Sequence, residues 1–421
     1  MVSRWLRALA VLALVPATAL AFEVVDTLVY PSRGAFPEAY PPDPLYPTTL
    51  WAQFGMMVDS NPFRLSGTAD TEDVLGDEHR SDTVLRYGIG AGHVARVVGR
   101  QGVRLIARGE YYDYLRHNRL DHFAYGLRGE WLWALGNDLS GIAGYTREDG
   151  LADTAGTGGA STDEVSVDRL YANGEYRLGP LVRLRAGASE ERGKREGDRP
   201  TLVTTSTTLF GGIGVATPLG NAIGVEYRRS EGAAPPGPLL DPTGQFADNR
   251  YSEDELALVV LYNLSAQLRV AGRVGQTTRE YNILQVEDFE GTTGRVTIGW
   301  LASPKFGMEL AIYREPRGVL EVDATHVDVR GTRFGISWAP AYKLVFSASF
   351  VNDRRVAQAS LVDPSILPAD DSLRTWRFAA GWEPRRHITV GTGVAFGERT
   401  SNTLGRDYDY LQVMANLRYD W

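Results

Sequence analysis

Residues Tyr408 to Trp421 read Tyr-Asp-Tyr-Leu-Gln-Val-Met-Ala-Asn-Leu-Arg-Tyr-Asp-Trp. From Leu411 the odd positions are Leu411, Val413, Ala415, Leu417, Tyr419 and Trp421. The even positions are Gln412, Met414, Asn416, Arg418 and Asp420. A period of two defines a strand with one apolar and one mostly polar face. A soluble chain seldom leaves a full-length amphipathic strand bare at its terminus, because an open edge invites aggregation. A transmembrane β-barrel requires such a strand: it closes on the first strand, with lipid on one face and water on the other. Leu417, Tyr419 and Trp421 are accordingly the expected closure and assembly signal.

The other end of the chain supplies an address. Arg4 and Arg7 precede an apolar run from Ala8 to Leu20 that ends in Ala19-Leu20-Ala21. A basic segment, a short apolar run and a small-x-small site predict a secretory signal peptide over residues 1–21. Residues 22–47 hold six of the 21 prolines and no useful alternation. They read as an extended periplasmic leader, either slack or a docking segment. No later run reaches the apolar length of a membrane helix. With no cysteine there is neither a disulfide framework nor thiolate chemistry. The formal charge of -8, more negative once Arg4 and Arg7 leave with the signal peptide, argues against nucleic acid as a partner.

From Leu50 onward the chain divides into about eighteen amphipathic runs, with sixteen as the competing count. Arg128-Gly-Glu130-Trp-Leu-Trp133 and Gln267-Leu-Arg269-Val-Ala-Gly-Arg273-Val show the pattern well. Connections alternate in length. The short set includes Leu135-Gly-Asn-Asp138, Leu178-Gly-Pro180 and Pro218-Leu-Gly-Asn221, where Gly, Asn and Pro make tight turns. The long set includes 60–80, 148–164, 231–249 and 354–371. Short periplasmic turns opposite long extracellular loops mark an outer-membrane barrel. The expectation is an all-β chain, an antiparallel transmembrane barrel over residues 48–421, with both termini periplasmic.

Gly88-Ile-Gly90-Ala-Gly92 and Gly211-Gly-Ile-Gly214 lie inside strands and open no helix, so close strand packing is favoured over a phosphate cradle. His117, Asp121 and His122, near Asp113, could bind a metal or serve a rim hydrolase, but a solvated polar turn is the favoured reading. The polar face carries many arginines, among them Arg104, Arg108, Arg183, Arg185, Arg269, Arg273 and Arg377. These read either as a wet porin wall whose charges pair across strands or as a track for a polyanion. Arg374 shares the parity of Trp376 and Phe378 and is expected to snorkel. Tyr112 and Tyr114 are candidates for sugar stacking. Trp131, Trp300, Trp338, Trp376 and Trp382 are expected in a lipid-interface girdle. No metal, cofactor or catalytic residue is expected.

Several segments resemble the EpsL-like family of exopolysaccharide-biosynthesis outer-membrane barrels. They are Asp59-Ser-Asn-Pro-Phe-Arg-Leu65, Ser81-Asp-Thr83, Leu135-Gly-Asn-Asp138 with Gly144-Tyr-Thr146, and Tyr176-Arg-Leu-Gly-Pro180 with Leu184-Arg-Ala-Gly187. The resemblance implies a barrel that lets an exopolysaccharide cross or scaffolds its secretion machinery. Its implied partners are the exopolysaccharide, outer-membrane lipid, the barrel assembly machinery and periplasmic polysaccharide-export proteins. The alternatives are a general diffusion porin or a non-conducting structural barrel, with a rim hydrolase further off.

Overall fold

The computed structural model describes residues 48–152, 162–198, 201–234, 249–282, 288–317, 327–357 and 369–421. The expected signal peptide and proline-rich leader, residues 1–47, lie outside the described residues. Eighteen strands follow one another in an up-and-down meander. They are β1 (Thr48–Asp59), β2 (Asp82–Arg96), β3 (Gly102–Tyr114), β4 (His122–Leu135), β5 (Leu139–Leu151) and β6 (Glu164–Leu178). Next come β7 (Val182–Glu196), β8 (Leu202–Ala216), β9 (Ala222–Ala234), β10 (Asn249–Asn263), β11 (Leu268–Tyr281) and β12 (Phe289–Ser303). The last six are β13 (Phe306–Arg317), β14 (Val327–Ala341), β15 (Leu344–Ala357), β16 (Asp370–Arg385), β17 (Ile388–Ser401) and β18 (Tyr408–Asp420).

Each strand pairs antiparallel with its sequence neighbours, and β1 also pairs with β18, so the sheet closes and has no edge. At the seam Trp51 lies opposite Asp420 and Asp59 opposite Gln412. Trp421 N–H donates to the Leu50 carbonyl at 2.9 Å. Closure satisfies every ladder group internally, which is the condition for β-structure in hydrocarbon. The molecule is an outer-membrane transmembrane barrel in which β1 starts and β18 ends at the same, periplasmic rim.

Alternation gives each strand two faces, and the burial is inverted relative to a soluble protein. Leu256, Leu258, Ile213, Val225 and Ile298 are exposed on the outside, where lipid belongs. Glu226, Arg273 and Arg295 are buried on the inside. Trp131, Trp300, Trp338, Trp376 and Trp382 all share the outward face.

Inward glycines make room for large neighbours. A Cβ on Gly90 would collide with the Trp51 indole, and one on Gly88 with the Gln53 side chain. Both lie opposite those residues in the β1–β2 register. The Gly88–Gly92 run is therefore a seat for side chains on the neighbouring strand, in keeping with close packing.

Several strands run beyond the end that alternation predicts. β5 reaches Leu151, β9 Ala234 and β15 Ala357. Their outer ends carry charge where the face should be apolar. Arg147 pairs with Asp168 at 3.4 Å, Arg354 with Asp370 at 2.6 Å and Arg374 with Glu398 at 3.0 Å, all on the outer face. These pairs form a collar above the apolar band. Arg374 thus engages a carboxylate rather than snorkelling.

Candidate functional site: the lumen wall and its mouth

The inner wall is a lattice of arginine and carboxylate that crosses strand boundaries. On β3 and β4, Arg104 bonds Glu130, which also accepts the Tyr171 hydroxyl from β6. Arg108 lies 3.6 Å from Glu148. Glu175 of β6 faces Arg183 of β7 at 3.5 Å. Glu226 of β9 is shared by Arg185, Arg228 and Arg273. Arg273 also holds Glu255 of β10 at 2.7 Å. Further round, Arg279 meets Glu253 at 2.6 Å and Arg295 meets Glu315 at 3.1 Å. Charged hydrogen bonds of this kind are roughly twice as strong as neutral ones, and each fixes two long side chains against the wall.

All seven arginines singled out from the sequence face the interior, but they fall into two groups. Arg104, Arg108, Arg183, Arg185 and Arg273 are matched by carboxylates, as above. Arg269 and Arg377 have no carboxylate within ion-pair distance among the described residues, and the Arg269 Nε is buried without a partner. Arg333 is similarly unmatched. It sits opposite Val351 of β15, two residues from the Ser349 that faces Arg377. Arg128 and Arg169 are unmatched too, as are Glu191, Glu309 and Asp353 among the inward acids.

The mouth is shaped by the connection between β1 and β2. This segment contains a short helix, α1 (Thr71–Leu75), capped by the Asp70 side chain. Ahead of it the chain turns inward. Asn61 binds Leu65 through both its amide groups, accepting from Leu65 N–H at 2.9 Å and donating to Leu65 O at 2.9 Å. It also donates to the Asp409 carbonyl at 3.0 Å. Arg64 takes a left-handed φ of 54° and anchors on Asp59 at 3.0 Å. Phe63 and Leu65 are thereby driven into a cluster with Val84, Tyr114 and Leu120, and Met57 packs against it. Met57, Val84 and Tyr114 belong to the inner face, so an apolar plug lies against the wall inside the extracellular end.

The plug absorbs the other polar candidates. Tyr114 is 8% exposed within it. Tyr112 stacks on His122 at 4.6 Å, donates its hydroxyl to Glu110 at 2.8 Å, and has Arg86 over its ring at 5.0 Å. His117 is 6% exposed, edge-on to Phe63 at 5.1 Å, and its N–H donates to Asp82. Asp121 accepts from Tyr114 N–H at 2.7 Å. The expected solvated turn is instead a structural staple. Among the described residues no group of three or more His, Asp or Glu could hold a metal.

Two features escaped sequence reasoning. Glu253 and Glu255 face the lumen, but β10 continues as Leu256-Ala-Leu-Val-Val-Leu-Tyr262, apolar on both faces. Only its register against β11, which sets Val259 opposite Arg273, identifies the inner side. The plug had a signal: Phe63 and Leu65 are large apolar residues close behind the end of β1, in a mostly polar loop. Leu417 and Tyr419 occupy the outer face of the seam strand, and Tyr419 is edge-on to Trp421 at 5.0 Å.

No family model and no curated protein matches the chain. Solved structures to which it is similar include OpdK of Pseudomonas aeruginosa crystallised with vanillate, at 8% identity and a TM-score of 0.47, covering 89% of this chain and 99% of that one. Another is OpdL of the same organism, at 10% identity and a TM-score of 0.46, covering 89% and 98%. The alcaligin receptor FauA of Bordetella pertussis follows at 12% and 0.39, covering 88% and 76%. At such distances no substrate transfers from them.

These findings overturn the EpsL-like resemblance: no family matches, and the similar solved barrels are of other kinds. With it go exopolysaccharide export or biosynthesis as the task, and the exopolysaccharide and periplasmic polysaccharide-export proteins as partners. The physical reason lies in the quoted segments. Asp59 to Leu65 is the inward bend, while Leu135–Asp138 and Tyr176–Pro180 surround the left-handed turn glycines Gly136 (φ 64°) and Gly179 (φ 74°). Tight turns demand such residues in any barrel.

Proposed function

We propose that the protein is a passive diffusion pore for small polar solutes, with a preference for anions. The observation that carries this reading is the inner wall. An eighteen-stranded barrel can hold an aqueous channel, and this one lines its interior with guanidinium and carboxylate groups that water stabilises. The matched pairs contribute little net charge. Arg128, Arg169, Arg269, Arg333 and Arg377 outnumber the unmatched Glu191, Glu309 and Asp353, so the lumen favours anions, since wall charge sets selectivity in such pores. The polyanion track reduces on this reading to an anion preference.

The test is a planar-bilayer recording of the purified barrel under a salt gradient. The expected result is discrete conductance steps with a reversal potential on the anion side. A barrel that inserts and never conducts would overturn the pore; cation selectivity would overturn the preference.

A further inference from the structure

Outside the barrel, on its lipid-facing surface, β13 to β17 leave a depression of about 650 Å³. Its floor is made by small residues, Ala348, Ala380 and Thr392, and its walls by Trp338, Phe346 and Phe378. Between these large side chains an acyl chain can lie deeper than over the rim of the hollow. It opens toward the periplasmic turns. Phe346 and Ala348 lie just after the start of β15, and Ala380 just before the end of β16.

The turns above it are basic. Lys305 lies between β12 and β13, Lys343 between β14 and β15, and Arg385 and Arg386 at the turn between β16 and β17. Four of the other periplasmic turns, 136–138, 179–181, 217–221 and 264–267, contain no Lys or Arg. The fifth has Arg100, which donates to the Gly136 carbonyl at 3.1 Å. Lys305 Nζ donates to the Pro340 carbonyl and Lys343 Nζ to that of Pro384, each at 3.1 Å. One bond each tethers these ammonium groups at the rim and leaves further donors for a ligand. Arg385 and Arg386 are exposed and have no carboxylate partner among the described residues.

We propose that this groove binds one anionic phospholipid of the periplasmic leaflet, with an acyl chain over Ala348 and Ala380 and the phosphate held by the Lys305, Lys343, Arg385 and Arg386 rim. An apolar slot capped by several cations matches an anionic headgroup on an acyl chain, and positive charge next to a membrane surface attracts such lipids. A second copy of the chain fits less well. A symmetric contact through this face would bring the basic turns of both copies together, and like charges in apposition are unfavourable. The proposal is independent of what the lumen passes.

The test is native mass spectrometry of the full-length barrel in detergent, titrated with phosphatidylglycerol and, separately, phosphatidylcholine. Wild type should retain phosphatidylglycerol at least about tenfold more strongly, since each basic residue near the surface is worth about fivefold. Combined Lys305→Gln, Lys343→Gln, Arg385→Gln and Arg386→Gln should abolish the preference, while Arg100→Gln, far from the groove, should leave it intact. Ala348→Phe with Ala380→Phe should reduce retention of both lipids. Heat-modifiable migration checks that each variant is folded. Should the groove variant fail to fold, the charge variant, altered only at the turns, still decides. Equal retention of the two lipids, or a preference that survives removal of the four charges, would overturn the site. So would a groove variant that changes the particle size in light scattering and not its lipid binding, which would identify an interface between copies.

Discussion

Arg273 grips Glu255 through two of its nitrogens, Nε at 3.0 Å and Nη2 at 2.7 Å, and turns its remaining nitrogen to Glu226. One guanidinium on β11 therefore neutralises carboxylates on β10 and β9. Removing it should leave Glu255 without a counter-charge, while Glu226 keeps Arg185 and Arg228. Arg273→Gln is expected to destabilise the barrel by about 3 kcal/mol, the lower end for breaking a buried pair. Adding Glu255→Gln should recover most of that loss. Urea titration of heat-modifiable migration measures both.

Arg269 and Arg377 should behave differently. Neither has a carboxylate to release, so Arg269→Gln with Arg377→Gln should leave stability within about 0.5 kcal/mol of wild type. The reversal potential should nonetheless move toward cations. An unchanged reversal potential in the double variant would show that these two positions do not set the field in the bore.

At the mouth, Phe63 is fully buried within the plug. Phe63→Ala empties its position among Leu65, Tyr114 and Leu120, and should loosen the inward bend. The expected outcome is faster swelling of proteoliposomes in larger sugars together with noisier single-channel current. Swelling rates identical to wild type across all sugar sizes would place the narrowest point elsewhere.

The absence of cysteine allows topology to be read with single thiols. Leu404 lies on the connection between β17 and β18 and is 96% exposed, while Leu219 lies on the turn between β8 and β9 and is 79% exposed. In intact cells a membrane-impermeant maleimide should label Leu404→Cys and spare Leu219→Cys. The reverse result would invert the barrel in the membrane.

Closure supplies another test. Deleting Tyr419 to Trp421 removes the Trp421 to Leu50 hydrogen bond and the Ala52–Tyr419 pairing. Each backbone group left facing hydrocarbon costs several kcal/mol. Folded barrel in outer-membrane fractions should fall by about tenfold or more. An equal truncation within residues 22–47 should leave it near normal. Equal yields from the two truncations would refute a special role for the closing strand.

How much of this was legible in the sequence depended on whether chemistry differed between the two faces of a strand. On β11, Arg269 and Arg273 alternate with Leu268, Val270 and Val274, so both faces could be read. On β10 both faces are apolar and the inner side could not. Strand ends blurred where the barrel rises above the lipid. There Arg147, Asp168, Arg354 and Asp370 take outward positions, since both faces meet water and alternation no longer carries information. The matching of arginines with acids was invisible because it joins strands through register, as with Arg185 and Glu226, 41 residues apart. The plug required knowing that the loop after Asp59 turns inward, which rests on the side-chain bonds of Asn61 and the left-handed Arg64.

The seam has a consequence for how the molecule comes to exist. Asn61 bonds the Asp409 carbonyl across 348 positions of chain, and Asp59 bonds Gln412 across 353. Every other strand pairing joins neighbours in sequence. Hairpins can therefore form early and locally, whereas the last contact must wait until the two extremes of the sheet meet. High contact order slows folding. Until that meeting, β1 and β18 each present a raw, sticky margin able to capture another chain. Once sealed, the same arrangement works in reverse. Opening any single ladder would expose two margins to hydrocarbon at once, so escape from the native state is slow, and the lifetime of the barrel is governed by a rate more than by an equilibrium.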